Sequence, residues 1–205
     1  AEEVIESKKF ALLDYEKSLN VDMADKDLLF SSEHIFSLRN QAIKTGAEAI
    51  HKRVTGSDGN LQMAVGFQSS IYEGDLDDYR LNWYSEIYIV KYTSDNSKRF
   101  FPKVPIIRLS EMYLIAAEAS GDIRYLETLR ANRGYATDPL PAGANLQDEI
   151  TKEYQKEFIA EGQLFYYYKR RNMAILPITS TSMNRATYVL PVPDNELEFG
   201  NFKQN

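Results

Sequence analysis

The chain has 205 residues, 43% of them hydrophobic, and a formal net charge of −6. That length can bury a core of its own, the composition is globular rather than disordered, and the acidic balance disfavours a nucleic-acid partner. Without cysteine there are no disulfides, thiol nucleophiles or thiolate metal sites, and no apolar run approaches the roughly 20 residues of a membrane-spanning helix.

Residues 1–7 read as helix with no capping residue ahead of them. Phe10, Leu12 and Leu13 follow, then an acidic irregular stretch and a short apolar segment at Ile35, Phe36 and Leu38. Residues 41–74 are loop-rich, and TGSDGN (55–60) is a strong turn because Gly and Asn tolerate positive φ. RLNWYSEIYIVKY (80–92), dense in aromatic and β-branched residues, predicts a strand. A polar turn at 93–99, then Pro102 and Pro105, lead into the first clear helix.

That helix is PIIRLSEMYLIAAEAS (105–120), whose Leu109, Met112, Tyr113, Ala116 and Ala117 share one face. Gly121 stops it, and Asp122 caps a second helix over 123–133 that carries Leu126 and Leu129 and ends at Gly134. Two short helices joined at a glycine have the form of a helical hairpin. After a Pro/Gly linker, a third helix runs from about Leu146 to Met173, with Ile150, Tyr154 and Phe158 four apart. Gly162 falls inside it, where close approach of a neighbouring helix would offset a cost of about 1 kcal/mol. Pro177, Pro191 and Pro193 then forbid long regular elements. Residues 1–205 are expected to form a single domain: a loop-rich segment with short strands (1–105), a helical core (106–173) and an irregular tail (174–205).

Seven stretches occur in an order that resembles the C-terminal part of the SusD/RagB family, lipid-anchored glycan-binding proteins of the bacterial outer-membrane surface. They are AEEVIESKKFALLDY, SSEHIFSL, DDYRL with IVKY, IIRLSEMYLIAAEA, LETLRANRG, ITKEYQKEFIAEGQLFYYYKRRN and LPVPDNELEFGNFKQN. Two positions depart from the family pattern. Glu153 is followed by Tyr154 where an arginine is usual, and YYYKRRN lacks the usual aspartate.

The resemblance implies a mainly α fold, a tetratricopeptide-like helical-hairpin scaffold with irregular loops and a few short strands. It implies a cell-surface glycan ligand, delivery to a SusC-like TonB-dependent transporter, a lipid anchor in the full-length protein and no cofactor. It covers part of a family member, so the chain is expected to be a C-terminal fragment rather than a reduced member.

Fourteen tyrosines, ten phenylalanines and one tryptophan suit either a packed core or a surface that stacks flat ligands. The segment before the first clear helix is the better place for stacking. Tyr72, Tyr79, Arg80, Asn82, Trp83 and Tyr84 are the candidate ligand-binding residues, pairing aromatic faces with groups able to bond sugar hydroxyls. On a strand, Trp83 and Tyr84 would point to opposite faces, exposing at least one. The alternative is a β-hairpin whose aromatics bury against the helices.

EGDLDDY lacks the later glycine and glutamate of a calcium loop, and neither His34 nor His51 has zinc-site spacing. KTG (44–46) and SDN (94–96) stand in the wrong order for the penicillin-interacting enzymes, and no serine lies three before a lysine. No catalytic residue or metal site is assigned. A protein-interaction module and a glycoside hydrolase are the competing readings.

Overall fold

The structure, a computed structural model, describes residues 1–22, 25–40, 42, 63, 66–85, 88–92, 103–135, 140 and 143–193. The turns at 55–60 and 93–99, His51, the KTG and SDN stretches, residues 136–139 and 141–142 of the linker, and residues 194–205 lie outside them. The described part is mainly helical with a few short strands. The chain forms two compact units, 1–161 and 162–205.

In the first unit, α1 (Glu2–Glu6) and α2 (Tyr15–Ser18) precede β1 (His34–Arg39), and α3 (Phe67–Ile71) precedes β2 (Tyr84–Ser85) and β3 (Tyr88–Ile89). Then come β4 (Lys103–Arg108), α4 (Leu109–Ser120), α5 (Ile123–Ala131) and α6 (Leu146–Glu157). Helix α4 is central and packs against α1, α5 and α6. As expected, Gly121 closes α4 at φ +72°, and the Asp122 carboxylate caps α5 by accepting the Arg124 N–H.

Three expectations need correction. Pro105 to Arg108 belong to β4, not to the helix: they pair antiparallel with β1, placing His34 opposite Arg108 and Ser37 opposite Pro105. The β-like run 80–92 begins as the 3-10 turn Tyr79–Trp83, and among its described residues the two-residue strands β2 and β3 follow. The third helix is not continuous to Met173. Helix α6 ends at Glu157, Ala160 takes φ +58°, and Gly162 takes φ +84° as the cap of α7 (Gln163–Arg170) in the second unit. Among the described residues nothing lies within 4 Å of where a Gly162 Cβ would stand, so backbone conformation rather than close packing requires the glycine.

The apolar core gathers Leu13, Leu19, Leu28, Phe30, Trp83 and Ile159. Beside it lies a buried ion network. Glu149, Glu153, Glu157 and Glu161 recur at every fourth residue, a stripe of like charge that would repel itself on an isolated helix. Lys152 and Lys156 on the same helix and cations from other segments compensate it. Arg80 reaches Glu153 at 2.8 Å and Glu157 at 3.1 Å, and Arg108 reaches Glu161 at 2.9 Å. Arg133 reaches both Glu157 (2.9 Å) and Glu33 (2.8 Å), Arg130 reaches Glu153 at 3.3 Å, and Lys91 bonds Glu161. Although burial opposes it, the Arg133 and Arg108 guanidinium groups hold Glu157 well below the usual carboxylate range. Each of these ions except Glu149 sits in one of the stretches that carried the family resemblance. In the first unit those stretches encode a frame.

Candidate ligand-binding cleft

Asp78 starts the turn that builds the site. Its carboxylate accepts the Arg80 backbone N–H at 2.8 Å and the Arg80 guanidinium at 2.7 to 3.2 Å, while the Tyr135 hydroxyl donates to it at 3.0 Å. Arg80 thereby faces inward to the glutamate stripe. Three residues on, Trp83 also turns inward. It packs 5.0 Å from Phe30, takes the Lys91 ammonium 3.7 Å above its ring, and donates Nε1–H to the Leu28 carbonyl at 2.8 Å.

The residues that alternate with and flank these anchors are half-buried or exposed. Asp77, Tyr79, Asn82 and Tyr84, with Tyr15 and Lys26, line an open cleft of about 700 Å³. The Tyr15 and Tyr79 rings stack at 4.3 Å. Lys26 donates to the Asn82 side-chain oxygen at 2.8 Å, and the Asn82 amide donates to the Tyr79 carbonyl at 2.9 Å. Tyr84 shares a hydrogen bond of 3.2 Å with Tyr72, and burial pushes its hydroxyl up to about 12, so it stays protonated and able to donate. Asp77 stands exposed at the rim.

Of the six residues expected to contact a ligand, Tyr79, Asn82 and Tyr84 line the cleft; Tyr72, Arg80 and Trp83 do not. Tyr72 is 1% exposed, and Arg80 and Trp83 are fully buried. The strand expected at Trp83 and Tyr84 would have alternated their faces; the 3-10 turn sends Trp83 into the core and leaves Tyr84 half-buried at the wall. Tyr15 and Lys26 were missed because no local pattern joins residues more than fifty positions apart to this turn. Asp77 stood in the candidate segment but was not chosen.

The cleft offers tyrosine ring faces beside a carboxylate, an amide and an ammonium. Rings can stack on the apolar C–H face of a flat, hydroxylated ring, while the polar groups bond its hydroxyls. Among the described residues, no group of three or more His, Asp or Glu side chains is placed to hold a metal ion.

No protein-family model and no curated protein matches the sequence. Among solved structures, the fold is similar to a crystal structure from Bacteroides vulgatus ATCC 8482 of a protein named for sugar binding, with a TM-score of 0.67 and 23% identity. The likeness covers 96% of this chain and 51% of the other, so the chain spans about half the length of that protein.

Proposed function

We propose that the chain is the C-terminal part of a SusD-like glycan-binding protein and that the cleft beside Tyr79 receives an oligosaccharide. The observation that carries this reading is the division of labour along residues 77–84. Asp78, Arg80 and Trp83 lock the turn into the interior, and Asp77, Tyr79, Asn82 and Tyr84 are presented together at an open cleft. The order of the resembling sequence stretches and the fold shared with a protein named for sugar binding support it.

The mechanism is non-covalent capture at the cell surface, then delivery to a SusC-like TonB-dependent transporter, with a lipid anchor outside residues 1–205. Rings and polar groups recognise the sugar, and the buried ion frame holds them still. Calorimetric titration with a panel of soluble oligosaccharides tests the binding step. A saturating isotherm is expected, with Tyr79→Ala weakening it roughly three- to tenfold through lost stacking. Steady release of reducing ends from any panel member would instead make the protein a hydrolase.

One observation favours a second reading, a protein-interaction module. Phe36, Leu38, Ile106 and Ile107 are exposed together on the β1–β4 ribbon. Failure of every glycan, with loss of a captured protein on Phe36→Ser, would favour that reading.

A further inference from the structure

Gly134, just past α5, takes φ +110° and stands directly against the cleft wall. A Cβ built there would lie 2.3 Å from the Asp77 carbonyl oxygen and 3.4 Å from Cε1 of the Tyr79 ring. The preceding residue makes the complementary contact, since the Arg133 carbonyl accepts the Tyr79 N–H at 2.9 Å. Arg133 is itself fixed, its guanidinium bound to Glu33 and Glu157 inside the ion network. We propose that the turn Arg133–Gly134 is the template that sets the Asp77–Tyr79 wall, with Gly134 a positioning residue for the ligand.

The inference rests on the cleft being the glycan site. The reason lies in which atoms could yield to a side chain at Gly134. The opposing atom is main chain, so no rotamer change relieves the overlap, and the wall must retreat by most of an ångström. Asp78 and Arg80 cannot follow, clamped as they are to each other and to Glu153. The displacement therefore falls on Asp77 and Tyr79, the two cleft residues on either side of Asp78. A shift of that size in a contacting ring costs affinity out of proportion to its effect on the fold.

Gly134→Ala is the test, with Gly121→Ala as its control. Gly121 also closes a helix at positive φ, but no described residue lies within 4 Å of its Cβ position, so the control carries backbone strain without pushing on the wall. Hydrogen exchange at the Tyr79 amide and calorimetric titration with maltoheptaose, xylohexaose and mannohexaose are the readouts. Gly134→Ala is expected to speed Tyr79 exchange and to weaken whichever probe binds, each by about tenfold. Gly121→Ala should lose stability and change neither readout. Equal behaviour of the two variants in exchange and affinity would overturn the proposal. Should the parent chain bind none of the probes, the glycan reading fails while Tyr79 exchange still decides the positioning role. If Gly134→Ala does not fold, Gly134→Asn retains the overlap in a residue that tolerates positive φ more readily. The same fast exchange is expected of it, and parent-like exchange would refute the template.

Discussion

Arg80 and Glu153, 73 residues apart in the chain, meet at 2.8 Å with both side chains fully buried. That contact ties the turn that presents the cleft to the glutamate stripe of α6. Removing Arg80 strips the buried Asp78 carboxylate of its guanidinium and leaves Glu153 to Arg130 and Lys156, which costs more than the pair contributes. Arg80→Leu should therefore destabilise the first unit by about 3–5 kcal/mol. Urea denaturation measures this, and a loss under about 1 kcal/mol would mean that Arg80 is ordinary surface charge.

Lys91 makes stability rise with pH in an alkaline window. Burial pulls its ammonium down from 10.5 to about 8, even though the Glu161 carboxylate beside it favours the charged form. Between those values the unfolded chain binds more protons than the folded one, so the folded state gains as pH climbs. The penalty is fully present below about 8 and relieved on approaching 10.5. Above about 10 the buried hydroxyls of Tyr72 and Tyr92, both raised chiefly by burial, reverse the trend, because unfolded tyrosines ionise first. From pH 8 to 10 the urea midpoint of the parent should climb relative to Lys91→Met. Parallel curves would contradict this.

Trp83 and Tyr79 should separate stability from binding. The single tryptophan has 0% exposure, so its emission should resist acrylamide quenching and change little when an oligosaccharide is added. Trp83→Ala should cost about 3–5 kcal/mol. Tyr79→Ala should weaken the oligosaccharide isotherm with a much smaller loss of stability. Strong quenching of the parent chain would contradict the burial of Trp83.

Gly162→Ala distinguishes two accounts of one residue by sign. Inside a helix with space around it, alanine would stabilise by about 1 kcal/mol. At φ +84° before α7 it should destabilise by about 1–2 kcal/mol. Thermal denaturation of the variant measures the sign.

What could be read from sequence was local. Gly121 and Asp122 marked the end of α4 and the start of α5 because a left-handed C-terminal residue and a carboxylate cap act within one turn of chain. The strand at 105–108 was hidden because its partner lies near residue 36, and four residues of Pro-Ile-Ile-Arg carry no period that separates strand from helix. The ion frame was hidden for a similar reason: Arg108 and Arg133 look like solvated charge when taken alone, and Arg80 was expected to face a ligand. One sign was available, since four glutamates at spacing four are unfavourable on a helix unless cations face them. Part of the aromatic segment, Tyr79, Asn82 and Tyr84, lies along a cleft, but separating Tyr79 from Trp83 required knowing that a 3-10 turn, not a strand, carries them.

The turn at residues 77–84 separates what must stay from what can vary. Its inward side chains hold the main chain in place, so exchanging the exposed Asp77 should disturb folding less than exchanging Tyr79, which packs against the core cluster. A combinatorial library at Asp77, read for folding first and for oligosaccharide binding second, would show how far this rim position can drift on the buried frame.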